Sequence, residues 1–119
     1  MVKKVTLYSS YNYKTCRAKG SAAASFPTTV KAVYFQAQYS NWMGFHKEQD
    51  QWYAPNGKLW NRNTGAWKDS GSGVFCGYNP IRGYDTQDLP GIWTLRLLID
   101  GHVVATSRFT LRKAKTGIM

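Results

Sequence analysis

Acidic residues are scarce in this chain. Six Asp and Glu stand against sixteen Lys and Arg in 119 residues, a net charge of +10. Cysteine and histidine are scarcer still, two of each, so a dense disulfide frame is excluded. A structural zinc site would have to combine His46 and His102 with Cys16 and Cys76 or with carboxylates, and neither cysteine lies in a CxxC pattern. No metal and no cofactor is therefore expected. No run of about 18 apolar residues is present, which excludes a helical membrane span. The opening MVKKVTLYSS has two lysines but not the apolar stretch of about 7–15 residues that a secretory leader needs. Either the protein is cytosolic or a leader was removed, and a secreted or periplasmic location is the expectation adopted. GxSxG, P-loop and HExxH motifs are missing, and no segment keeps helical spacing over ten residues.

What the chain does have is apolar and aromatic bulk, 43 % and 15 % of residues, against 18 % charged. That balance is far from the disordered class. A length of 119 residues suits one domain, 1–119, with one core. The charge is concentrated at the ends. Lys3, Lys4, Lys14, Arg17 and Lys19 have no acid among them, nor do Arg108, Arg112, Lys113 and Lys115. The middle of the chain is nearly neutral. If the two ends are neighbours in space they form a basic edge, suited to nucleic acid or an acidic polysaccharide. Lys and Arg on edge strands also discourage edge-to-edge pairing, and that reading accounts for the same residues.

Strand periodicity is clear. In GIWTLRLLIDGHVVATSRFTLR, Trp93, Leu95, Leu97 and Ile99 alternate with Thr94, Arg96 and Leu98, and the alternation resumes through Phe109 and Leu111. A three-residue Ile99-Asp100-Gly101 loop sets odd positions opposite odd, separating the apolar residues from Arg96, Arg108 and Arg112. QWYAPNGKLW reads as a second hairpin, Pro55 opening its turn and Gly57 taking positive φ, with Trp52 opposite Trp60 and Tyr53 opposite Leu59. KAVYFQAQYS is a core strand, VTLYSSYNY a further strand and GVFCGY a short one, with Val74 and Phe75 buried. About seven short strands and little or no helix predict an all-β fold, a single antiparallel β-sandwich or barrel.

PGIWTLRLLIDGHVVATSRFTL resembles the last hairpin of bacterial immunoglobulin-like and fibronectin type III-like sandwich domains, and WYAPNGKLW is similar to their central hairpin. The resemblance implies a β-sandwich whose first and last strands lie at neighbouring edges, in a family of adhesive and accessory domains. Residues 61–90 depart from it, being longer and richer in Gly and Asn than a sandwich connection requires.

Candidate chemistry is sparse. Cys16 and Cys76 either pair in an oxidising compartment, closing a long loop for about 3–4 kcal/mol, or stay free. Glu48 and Asp50 share one face of a strand, as paired acid and base would, but a solvated face explains them equally. A Cys76 nucleophile with His46 or His102 as base has nothing to position it. No enzyme activity is expected. The strands already supply the large core residues, so Trp42, Trp67, Tyr78 and Tyr84, set among Gly, Asn, Asp and Arg82, read as loop aromatics. Rigid rings beside amides and arginine suit stacking on a ligand. They also suit local plugs folded back on the domain. The leading expectation is a binding module for a glycan or protein partner, using Trp42, Trp67, Tyr78, Arg82 and Tyr84. The alternative is a polyanion binder using the basic ends.

Overall fold

The computed structural model describes the backbone of residues 2–12, 16–18 and 20–113, and the side chains there except at 3, 11, 12, 17, 18, 41, 42 and 67–70. Its strands are β1 (Val2–Tyr8), β2 (Tyr11–Asn12), β3 (Arg17–Ala18), β4 (Ser25–Pro27), β5 (Ala32–Tyr53), β6 (Leu59–Pro80), β7 (Gly91–Ile99) and β8 (His102–Arg112). A single 3-10 turn, Asp85–Asp88, is the only helical element among the described residues. The fold is all-β, as the alternation predicts.

Strands β5 and β6 are 22 residues each and pair antiparallel from Ala32↔Pro80 to Tyr53↔Leu59. At about 3.3 Å per residue such a ribbon would run about 70 Å if straight. It folds back instead. Between Tyr39↔Gly73 and Trp42↔Gly71, β5 carries one extra residue, a β-bulge flanked by Gly44 and Gly71 at left-handed φ of 86° and 128°. The extra residue flips the alternation. Val33, Phe35, Ala37 and Tyr39 point inward before the bulge, and Asp50 and Trp52 after it.

The two halves of the ribbon thus face each other as two layers. The first holds β1, which pairs with the N-terminal half of β5, and the C-terminal half of β6. The second holds the remaining halves of β5 and β6, then β7, β8 and β4, the last pair being parallel. Phe35 in one layer meets Trp52 in the other at 6.1 Å between ring centroids. Trp52 is edge-on to Phe109 at 6.0 Å, and Phe109 stacks on Trp93 at 6.3 Å. Leu7, Phe26, Ile81, Leu95, Leu97 and Leu111 complete the core. Strands β1 and β8 flank a common groove lined by Val2, Lys4 and Val104–Ser107, so the first and last strands are neighbours, as expected.

Several expectations need correction. Residues 59–80 are one continuous strand rather than aromatic loops, paired antiparallel with β5 along its length. Val74 is exposed, and Phe75 alone of that pair packs on the core. The odd-with-odd register of β7 and β8 is observed (Trp93↔Phe109, Leu97↔Ala105), but a two-residue Asp100-Gly101 turn with positive φ at both positions, plus a bulge after Leu97, produces it. The Pro55 turn forms as read, with Gly57 N–H donating to Ala54 C=O at 2.9 Å and Tyr53 opposite Leu59. Trp52, however, faces Asn61. Trp60 is the extra residue of a second bulge and turns out of the core, 42 % exposed.

Two links pin this frame. Cys16 and Cys76 form a disulfide spanning 60 residues, which fastens the chain ahead of β3 to β6. Loop closure of that size restricts the unfolded chain by about 4 kcal/mol. The β7–β8 turn is the second link. Asp100 N–H donates to Lys47 C=O, and Lys47 N–H to the Asp100 carboxylate, both at 2.9 Å. His46 lies 2.7 Å from that carboxylate through Nδ1 and 2.8 Å from the Met43 carbonyl through Nε2. Both ring nitrogens face acceptors, so the imidazolium suits the site best. The Asp100 hydrogen bond, more than any other cause, raises the His46 pKa above 6.5. The Lys47 N–H and then His46 hold the Asp100 carboxyl below its usual range.

Cys76→Ser is expected to lower stability by about 2–4 kcal/mol in denaturant unfolding, and reduction of the native protein should produce the same loss. An unchanged midpoint would show that the bridge constrains nothing. The His46 contribution is full below pH 6.5 and is lost as pH rises through its raised value. An NMR titration should place the His46 midpoint above 6.5, and Asp100→Asn, which tolerates the left-handed turn, should return it toward 6.5.

Candidate functional site

Folding the ribbon leaves β6 paired on one side only, and its two halves approach along that open edge. Asn63, in the N-terminal half, donates through Nδ2 to the Tyr78 carbonyl of the C-terminal half at 3.4 Å. Asn61 Nδ2 donates to Asn79 Oδ1 at 2.9 Å. Two clefts open beside these bridges, with Asn61 and Pro80 in the walls of both.

The first cleft, about 360 Å³, is lined by Trp60, Asn61, Asn79, Tyr84, Asp85 and Thr86 with Pro80. The bulge aims Trp60 at it. Trp60 Nε1 donates to the Thr86 hydroxyl at 3.0 Å, and its ring stands edge-on to Trp93 at 6.3 Å, which fixes its plane. Tyr84, at the start of the 3-10 turn, is 59 % exposed. Asn79 is buried at 1 % exposure, and its Nδ2 has no partner among the described residues. An unsatisfied buried amide donor costs about 1–3 kcal/mol.

The second cleft, about 440 Å³, contains the carboxyl pair. Asp50 is buried, accepting from Trp52 Nε1 at 2.7 Å and Asn63 Nδ2 at 2.9 Å. Glu48, two residues earlier on the same inward face, has no hydrogen-bond partner at Oε1. Burial, reinforced by the neighbouring Asp50, pushes the Glu48 pKa up to about 9. Glu48 is therefore protonated at neutral pH. The pair is not a solvated face, as sequence alone allowed: the fold-back covers it. Close approach is purchased with glycine at Gly77, where a Cβ would lie 2.7 Å from the Phe35 ring and 3.6 Å from the Asp50 carboxylate.

The residues singled out from sequence separate in space. Tyr84 lines the first cleft and Tyr78 the second, where Tyr78 also leans on Tyr34 at 5.5 Å. Arg82 is exposed in the turn between them. Trp42 and Trp67 are on the bent part of the ribbon, opposite Gly71 and His46, with side chains outside the described residues. Lys14, Lys19 and Lys115 lie outside the described residues altogether, as do the side chains of Lys3 and Arg17. Lys4, Arg108, Arg112 and Lys113 are exposed. Cys76 is in the disulfide and has no thiol to act as nucleophile, and His46 is held by Asp100 and Met43. Sequence reasoning missed Trp60, Asn61 and Asn79. Asparagines at 61 and 79 within a strand-length segment were the available signal, since Asn is depleted in strands.

Replacing Glu48 with Gln is expected to stabilise the protein by about 1–3 kcal/mol at pH 8, since it removes a buried group that the unfolded chain ionises more readily. The sign follows from the raised value. The folded state holds the proton from pH 4.5 to about 9 while the unfolded state releases it, so stability falls across that window. Urea unfolding at pH 4 and pH 8 should show the gain at pH 8 only.

No protein-family model matches the chain, and no curated protein matches it. Among solved structures it is similar to the crystal structure of an immunoglobulin-like protein from Pseudomonas aeruginosa. The two are 11 % identical, with 92 % of this chain and 93 % of that chain covered, at a TM-score of 0.49.

Proposed function

We propose that the protein is a non-catalytic binding module, one domain over residues 1–119, that takes a neutral glycan in the cleft between Trp60 and Tyr84. The observation that carries this reading is the placement of two exposed rings, Trp60 and Tyr84, in one cleft with the amides of Asn61 and Asn79 in its wall. Sugar rings present C–H faces that pack on aromatic rings, and their hydroxyls need donors and acceptors of this kind. The plane of Trp60 is set in advance by Thr86 and Trp93, so that ring loses little entropy on binding. A protein loop bearing a polar side chain would use the same features. The disulfide supports a secreted or periplasmic setting.

A second reading is favoured by one observation, the protonated Glu48 beside Asp50 in the adjoining cleft. A proton donor next to a carboxylate is the equipment of a glycoside hydrolase. Binding and turnover are separable by variant.

Screening against immobilised neutral oligosaccharides should give binding that Tyr84→Ala reduces about tenfold, with the unfolding midpoint held. A tight binder indifferent to Tyr84→Ala would remove the cleft from consideration. Release of reducing sugar that Glu48→Gln abolishes would replace the binding module with the hydrolase.

A further inference from the structure

The outward face of the second layer has a composition unlike that of the cleft. Trp93, Leu95, Leu97, Phe109 and Leu111 point inward, so the alternate residues of β7 and β8 point out. Strand pairing then aligns Arg62, Gln51, Arg96 and Thr106 in one row across β6, β5, β7 and β8. The next row sets Tyr53 beside Thr94 and Thr94 beside Arg108. Lys47 and Arg112 extend the cationic surface at its corners. Among the described residues, no carboxylate shares this face. Asp100, at its margin, is already engaged by Lys47 N–H and His46.

The face is also held in order. Tyr53 O–H donates to Gln51 Oε1 at 2.9 Å, and Gln51 Nε2 to Gln49 Oε1 at 2.5 Å. Arg96 lies over the Tyr53 ring, its guanidinium carbon 5.7 Å from the centroid, and donates to the Tyr53 hydroxyl at 3.4 Å. Neighbouring strands are about 4.8 Å apart, which sets Arg62 about 10 Å from Arg96 and Arg108 about 5 Å further across. The cations are thus spaced along a polar track rather than clustered.

We infer that this face binds an acidic polysaccharide, with Arg62, Arg96 and Arg108 taking its sulfate or carboxylate groups and the Gln and Thr side chains between them its hydroxyls. Charge complementarity requires a polyanion, and two further features select among polyanions. Single-stranded nucleic acid needs free rings for its bases, but Tyr53 is covered by Arg96. Duplex DNA is read by elements that enter a groove, and a flat sheet face presents none. Neutral hydrogen-bonding groups alternating with cations match a chain that alternates hydroxyls with acids. The site is distinct from the Trp60–Tyr84 cleft and does not depend on it, so either can fail alone. It shares Arg108 with the basic C-terminal end and centres the polyanion contact on the sheet face, with Arg62 and Arg96.

Heparin is the probe, measured on the whole chain at about 50 and 200 mM salt, where a contact built on ion pairs must weaken as salt rises. Arg62→Gln/Arg108→Gln, two exposed positions, should bind heparin at least about tenfold more weakly with unchanged circular dichroism and melting. Lys31→Gln/Lys58→Gln removes the same charge elsewhere and should bind as the parent does. Arg96→Gln should weaken binding further when added to the first pair. Equal losses in the two double variants would reduce the effect to net charge and overturn the inference. So would the absence of heparin binding at about 50 mM salt, or tighter binding of a single-stranded oligonucleotide than of heparin.

Discussion

Phe35 and Trp52 belong to one strand and yet meet across the core, their ring planes tilted by 50°. That contact exists only because β5 and β6 fold back together. A ribbon of this length has an apolar side that water disfavours, and no helix is present among the described residues to cover it. Closing the ribbon on itself is the available solution. The bulge after Tyr39 makes it possible: without the extra residue, Trp52 would point outward when Phe35 points inward. With it, both halves present apolar residues to one interior. β1, β7 and β8 then extend the two layers that the ribbon has already defined.

Folding back has a polar consequence. The open edge of β6 brings Asn61 against Asn79, and Asn63 against Asp50 and the Tyr78 carbonyl. Apolar contact is non-directional and would tolerate some sliding between layers. Hydrogen bonds between partly buried amides tolerate less, because a misplaced partner leaves a shielded group unsatisfied, at a cost of up to about 1–3 kcal/mol. These bridges fix the relative position of the two halves of one strand, and with it the shape of both clefts. Two buried groups stay unsatisfied beside this network, Asn79 Nδ2 and Glu48 Oε1, and Glu48 relieves its burial by retaining a proton.

Much of the fold was legible in the sequence where one strand meets the next in the chain. The odd-with-odd pairing from Trp93 to Leu111 and the Pro55-Asn56-Gly57 turn carry their own instructions and the structure follows them, although a two-residue turn and a bulge replace the expected three-residue loop. The two-layer arrangement could not be read the same way. A bulge is a one-residue insertion with no local signature, and one such residue moved Trp60 from the core to the cleft. Gly, Asn and Ser through residues 61–79 read as loop because these residues seldom serve strands; here glycine is needed at 77 for close approach, and asparagine bridges the layers. Glu48 and Asp50 read as solvated because nothing nearby in the chain foretold a covering layer.

Charge follows the same logic. Along the chain, the excess of Lys and Arg is concentrated at the ends. Across the sheet, the period of two sorts it differently. In HKEQDQWY the acids occupy the inward positions 48 and 50, while Lys47, Gln49, Gln51 and Tyr53 face outward. On the outward side, Arg62 and Arg96 flank Gln51. The carboxylates that would neutralise those cations are therefore turned into the cleft, where burial keeps at least Glu48 uncharged. One alternation thus makes both surfaces: an amide and carboxyl cleft on the inner side of the ribbon, and an uncompensated cationic face on the outer.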